Sequence, residues 1–138
     1  MKKLVFILLA ATLWVSCETQ TATTVNTEKV GKSQASITNT KWVLAERVKG
    51  NQPTLHIEND RINGNAGCNN YFGGVEIDAA SGKFIPSKMG STRMACKEMS
   101  AESNYLSALG NVNKYVVNGN QLELYKDGLV MLKFTKAE

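Results

Sequence analysis

The chain has 138 residues with one histidine and three cysteines, a length that suits one domain with a modest core. Its formal net charge of +4 falls to +2 without residues 1–16, because these hold two lysines and no acidic residue. So small a charge, with no run of basic residues interleaved with aromatic ones, argues against nucleic acid as a partner.

Residues 1–16 have the three regions of an export signal. Two lysines precede an apolar stretch over residues 4–15, and a small serine stands directly before Cys17. This order resembles a bacterial lipobox, in which the cysteine is diacylated on sulfur and becomes the mature N-terminus. We therefore predict a lipoprotein signal peptide, lipidation of Cys17, and a lipid anchor in the bacterial cell envelope. Because Glu18 rather than aspartate follows, the outer membrane is favoured. An ordinary secretory signal with a stray thiol, or an uncleaved anchor, is the alternative.

Residues 17–38 are predicted to be a flexible linker. They are rich in Thr, Ser, Gln and Asn and have few large apolar groups, so they bury too little surface to offset the entropy of ordering the chain. The folded domain is therefore predicted over residues 39–138.

Short runs of β-type residues predict the strands of this domain. The runs cover residues 42–45, 54–57, 71–78, 83–86, 114–117, 121–125 and 129–134. A four-residue loop over residues 79–82 joins two of them. Asn118-Gly119 and Asp127-Gly128 join the last three as type I′ turns, which predicts an antiparallel meander.

One short helix is predicted between the two groups of strands. Ser100 is a good N-cap, the helix covers residues 101–109, and Gly110 stands at its exit. The fold class is therefore mainly β: a small antiparallel curved sheet or barrel with one short α-helix.

Two blocks contain two of the three cysteines. Residues 64–74 read GNAGCNNYFGG, and residues 91–96 read STRMAC. The pattern continues downstream through Glu102, Tyr105, Leu106, Ala108, Leu109, Tyr115, Gly119, Leu122, Leu124, Leu132 and Phe134. In this order the residues resemble the META domain, also called the HslJ-like domain, of bacterial envelope and heat-shock-associated proteins. The resemblance implies a lipocalin-like barrel and an association with stress and drug tolerance. It brings no established active site.

Cys68 and Cys96 are predicted to form a disulfide, because an exported domain lies in an oxidising compartment and Cys17 is used by the lipid. Two buried free thiols are the main alternative. A metal pair is disfavoured, since no histidine or further cysteine stands at ligand spacing to either residue.

Catalytic groups are scarce. His56 alternates with two apolar residues and is predicted to point to solvent. Glu76 and Asp78 share a strand face beside a hairpin loop, where a solvated edge is the expected use. The glycine-rich block lacks the Lys-Ser/Thr of a phosphate-binding loop. We predict no enzyme activity, no cofactor and no metal.

The candidate binding surface consists of the two cysteine blocks, with Asn69, Tyr71, Thr92 and Arg93 as its contact residues. The predicted function is that of a non-catalytic binding or structural module that contacts another envelope protein or the membrane. The alternative is a barrel whose interior binds a small apolar ligand.

Overall fold

Eight antiparallel strands form a closed barrel in the computed structural model, which describes residues 27–138. The strands are β1 (Thr40–Leu44), β2 (Thr54–Ile57), β3 (Arg61–Asn65), β4 (Asn70–Asp78), β5 (Lys83–Ser91), β6 (Lys114–Asn118), β7 (Gln121–Lys126) and β8 (Leu129–Lys136). One helix, α1 (Met99–Asn111), connects β5 to β6, and a 3₁₀ turn covers Thr27–Lys29. The predicted mainly β fold is confirmed. The predicted signal peptide and Cys17 lie outside the described residues.

Alternation along the strands fills the barrel interior with large side chains. Trp42, Phe84, Leu124 and Phe134, which enter from four different strands, are each no more than 2% exposed. The tyrosines of the core add edge-to-face ring contacts, for example between Phe84 and Tyr115 with centroids 6.5 Å apart. The interior is therefore a packed core.

The extent of pairing between neighbouring strands differs around the barrel. β1 and β8 pair over three residues, whereas β5 and β6 pair only at Lys83 and Lys114. Helix α1 packs against β5 and β8. Within the described residues, no helix is long and apolar enough to cross a membrane.

Pro86 lies on the part of β5 that has no second strand beside it. Its register partner on β4 is Val75, whose N–H donates to the backbone carbonyl of Asp60, on the side of β4 that faces away from β5. Val75 and Pro86 are therefore a pair without hydrogen bonds between them, and the nitrogen of Pro86 faces the free edge of β5. A proline there removes a backbone donor from the edge and so discourages pairing with another chain.

The sequence did not predict β3. The glycine-rich block of residues 64–74 includes the end of β3 and the start of β4, which begins at Asn70, one residue before the predicted strand. The predicted helix is shifted as well: α1 begins at Met99, so Ser100 lies inside its first turn, and it continues through Gly110. Val112, 3% exposed, follows directly and secures this end in the core.

The C-terminal meander is confirmed, but its turns differ from the prediction. Asn118 pairs with Gln121, so the first loop consists of Gly119 and Asn120. In each turn only the first loop residue has positive φ, Gly119 at 58° and Asp127 at 55°. This pattern is typical of type II′ turns, whereas type I′ turns need two such residues.

The folded domain also starts earlier than residue 39. Ile37 is completely buried, and the Tyr115 hydroxyl donates to the Ala35 carbonyl at 2.9 Å. The N–H of Gln34 donates to the Ala79 carbonyl at 2.8 Å. Residues 34–38 therefore belong to the barrel and not to the linker.

Candidate functional site

A disulfide between Cys68 and Cys96 fastens one end of the barrel. It links residues 66–69, here the bridged turn, to residues 92–98, here the bridged loop, with the two Cα atoms 6.2 Å apart. The bridged turn joins β3 to β4, and the bridged loop leads from β5 into α1. The predicted disulfide is confirmed.

Glu102 connects the helix to the bridged turn. It lies in the first turn of α1 and is only 4% exposed. Its Oε2 accepts the backbone N–H groups of Cys68, at 3.1 Å, and Asn69, at 2.6 Å. Its Oε1 accepts the Asn69 side-chain amide at 2.8 Å. Three donors therefore surround one buried carboxylate.

Asn69 extends the same network to the bridged loop. Its Oδ1 accepts the Thr92 hydroxyl at 2.8 Å and the Met94 N–H at 2.7 Å. Its Nδ2 also donates to the Met94 carbonyl at 3.1 Å. One buried side chain thus joins the turn, the loop and, through Glu102, the helix. We call Asn69, Glu102 and the disulfide the internal lock.

The electrostatics of the lock favour an ionised carboxylate. Burial alone would raise the pKa of Glu102, but the hydrogen bonds from the backbone and side chain of Asn69 and from Cys68 lower it below its ordinary value. Both oxygens are occupied by donors of the protein. The carboxylate therefore holds the bridged turn against the first turn of α1.

Two tyrosines continue the buried polar contacts beneath the lock. The hydroxyl groups of Tyr71 and Tyr105 lie 2.9 Å apart, and Tyr71 donates to the Thr54 carbonyl at 2.8 Å. Burial raises the pKa of both phenols. They are neutral hydrogen-bonding groups of the core.

The predicted contact residues divide into two pairs. Asn69 and Tyr71 are each 1% exposed, so their assignment to a binding surface is wrong. Polar residues in a glycine-rich block indicated a binding surface, but the polar groups of these two residues form hydrogen bonds within the domain. Thr92 and Arg93 are exposed on the bridged loop, and Met94 beside them is 56% exposed. For Thr92 and Arg93 a binding role stays a prediction.

Glu102 was named only as part of the family pattern, and its role was missed. Its spacing from Tyr105 and Leu109 places it on the buried face of α1. An acidic residue on an apolar helix face signals a buried polar contact, because an unpaired charge there is costly.

The other titratable candidates lie on the outside of the barrel. The His56 side chain is 33% exposed, with Nδ1 4.0 Å from a Glu58 oxygen. Glu76 pairs with Lys83 at 2.9 Å. Asp78 accepts the Ser81 hydroxyl and the Ala80 N–H, which lower its pKa and cap the hairpin. Across residues 27–138, no three His, Cys, Asp or Glu side chains could together hold a metal ion.

Removing the disulfide is expected to destabilise the domain by about 3–4 kcal/mol, because it closes a loop with a sequence separation of 28 residues. The double variant Cys68→Ser/Cys96→Ser avoids an unpaired thiol. Urea unfolding without reductant compares it with the wild type, and reduced wild type serves as the matched control. Equal midpoints for the oxidised wild type and the double variant would contradict the expectation.

The described residues define a small eight-stranded antiparallel barrel with one helix, whose two cysteine blocks meet in an internal lock. The chain belongs to the META domain family, whose family model matches residues 35–138. This match agrees with the resemblance to the META domain that the two cysteine blocks indicated.

Two solved structures are similar in fold. An NMR structure of a protein from Burkholderia xenovorans is 25% identical, with a TM-score of 0.60 over 80% of this chain and 86% of that one. A second NMR structure is 18% identical, with a TM-score of 0.55 over 79% of this chain and 92% of the other. The comparison with curated proteins found no match.

Proposed function

We propose that the protein is a non-catalytic binding or structural module of the bacterial cell envelope, anchored to the outer membrane by lipid on Cys17. The internal lock is the observation that carries the non-catalytic part. Three residues of the family pattern make their contacts within the domain, namely Cys68, Asn69 and Glu102. These contacts support a structural role for the pattern. The anchor follows from the order of charged, apolar and small residues before Cys17.

The bridged loop is the proposed contact surface. Its backbone is fixed by the disulfide and by Asn69, while Arg93 and Met94 project from it. A rigid loop loses little entropy on binding, and arginine and methionine are enriched at protein interfaces. A second envelope protein is the proposed partner, and tolerance to envelope stress or drugs is the proposed outcome.

A small apolar ligand inside the barrel is the weaker alternative. Trp42, Phe84 and Phe134 occupy the interior and are no more than 2% exposed. A ligand would have to displace such side chains, which native packing opposes.

Two variants expressed in a strain that lacks the wild-type gene test the proposal. Cys17→Ser should move the protein from the membrane to the soluble fraction or leave it unprocessed. Arg93→Ala should raise sensitivity to envelope stress or drugs at normal abundance, whereas Lys126→Ala, an exposed cation outside the bridged loop, should have little effect. An unmodified Cys17 in the mature native chain would exclude the anchor. An effect of Arg93→Ala no larger than that of Lys126→Ala would exclude Arg93 as a contact.

A further inference from the structure

The outer face of β3, β4 and β5 carries an unusual exposed aromatic residue. Asn63, Phe72 and Gly90 are register partners across the three strands, and Arg61, Gly74 and Ser87 form the next row. Phe72 is 60% exposed and has small residues on two sides. The neighbouring side chains therefore do not shield the ring, which is accessible to solvent.

The ring of Phe72 lies along the sheet. A Cβ built on Gly90 would come within 3.0 Å of the ring Cζ and 3.1 Å of Cε2, so the end of the ring covers this neighbouring residue. Only glycine leaves room for that orientation. The end of the ring lies over Gly90 of β5, and the large exposed fraction of the side chain leaves an apolar platform open to water.

A groove of about 530 Å³ lies beside the platform. This volume falls within the range of roughly 300–1,000 Å³ that is usual for small-molecule sites. Two acidic residues, Glu58 and Asp60, and two basic residues, Arg61 and Lys88, line it. Glu58 accepts the Asn63 side-chain amide at 3.2 Å. In the described part of the chain, Asp60, Arg61 and Lys88 form no ion pair, so their polar groups are available.

Lys88 is held in a conformation that non-glycine residues rarely adopt. β5 has one extra residue between the partners of Phe72 and Gly74, and Lys88 lies in this bulge with φ of 49°. Left-handed backbone costs energy for any residue with a Cβ, and such outliers concentrate at functional sites. Here the bulge places a lysine at the wall of the groove.

We propose that this groove binds a saccharide, with one pyranose ring stacked on Phe72. The C–H groups on one face of a pyranose are apolar and slightly positive, which suits the negative face of an aromatic ring. The hydroxyl groups around the sugar then need donors and acceptors at its edge. Arg61 and Lys88 are the donors, and Glu58 and Asp60 are the acceptors.

The balance of charges in the groove favours a saccharide over other classes of ligand. Two acidic and two basic side chains leave the groove without net charge, so neither an anionic phosphate nor a cationic peptide is favoured. A lipid tail would leave the four charged groups without polar partners. A polyhydroxylated neutral ring satisfies the aromatic and the polar groups together. This inference depends neither on the lipid anchor nor on the bridged loop.

Titration of the full-length protein with three tetrasaccharides tests the proposal. The probes are the tetramer of N-acetylglucosamine, maltotetraose and cellotetraose, in a detergent without a sugar headgroup. At least one should bind saturably, with NMR amide shifts concentrated at Asn63, Phe72 and Lys88. Phe72→Ala should weaken this binding about threefold to tenfold, which corresponds to the usual energy of an aromatic contact.

Leu129→Ala is the matched control, because Leu129 is 66% exposed and lies outside the groove. It should bind like the wild type. Lys88→Gly should retain the fold, since glycine tolerates this φ, and should weaken binding through loss of the ammonium group. Absence of saturable binding to all three probes would overturn the proposal. So would binding that Phe72→Ala leaves unchanged.

Discussion

Replacing Glu102 by alanine is expected to lower the free energy of unfolding by about 3–5 kcal/mol, because two buried donors and one partly buried donor lose a charged acceptor. Cys68 N, Asn69 N and Asn69 Nδ2 would all be left without their partner. The bridged turn and the first turn of α1 would then separate or admit water. Urea unfolding of the oxidised protein at pH 7 measures the loss.

Two variants serve as controls for Glu102→Ala. Glu102→Gln keeps the size and one carbonyl acceptor, so an intermediate loss is expected. Glu98→Ala removes an exposed acid directly before α1 and should change stability by no more than about 0.5 kcal/mol. Equal stability of Glu102→Ala and Glu98→Ala would show that the Glu102 carboxylate contributes nothing to the stability of the fold.

The same carboxylate makes a contribution to stability that depends on pH. The pKa of Glu102 is lowered in the folded protein from its ordinary value of 4.5. Its contribution is therefore fully present above that ordinary value and is lost as the pH falls through the lower folded value. Glu102→Gln should lack this part of the acid dependence, so its stability should approach that of the wild type as the pH falls.

The second large effect is expected for Gly64→Ala, which should destabilise the domain by about 3 kcal/mol or more. A Cβ on Gly64 would overlap the Thr54 carbonyl oxygen and come within 2.9 Å of the Tyr71 hydroxyl. Neither atom can move freely, since Tyr71 donates to that carbonyl inside the core. Thermal and urea unfolding of the purified variant measure the change.

Gly110→Ala is the matched control for Gly64→Ala. A Cβ on Gly110 meets no atom within 4 Å, and the residue lies inside α1. Alanine is the better helix former, so stability should stay the same or increase by up to about 1 kcal/mol. If Gly64→Ala were as stable as Gly110→Ala, the close approach of β3 to β2 would not be a constraint on the fold.

The sequence predicted those strands whose alternation is regular. β7 and β8 were found because Leu122 and Leu124, and then Leu132 and Phe134, alternate with polar residues. β3 was missed, because its five residues, RINGN, include Ile62 as the one large apolar side chain. Its place in the barrel depends on close packing of Gly64 against a strand ten residues earlier, which local sequence does not show.

The contacts of the internal lock could not be predicted from the sequence for a related reason. Glu102 and Asn69 are 33 residues apart, and only the folded chain brings them together. The cysteines could be paired by elimination, since two remained after the lipidation site was assigned. No comparable rule pairs an asparagine with a glutamate. The Phe72 platform also depends on strand register, because Gly90 follows 18 positions later and becomes its neighbour across the sheet.

The chain enters the barrel beside the hairpin loop of residues 79–82, where Gln34 meets Ala79. The bridged loop begins at the other end of β5, a strand of nine residues that spans on the order of 25 Å. The domain therefore has two poles, one where the described chain enters the barrel and one that carries the bridged loop. Arg93 lies at the second pole, so a molecule that contacts it approaches from the side opposite to Gln34.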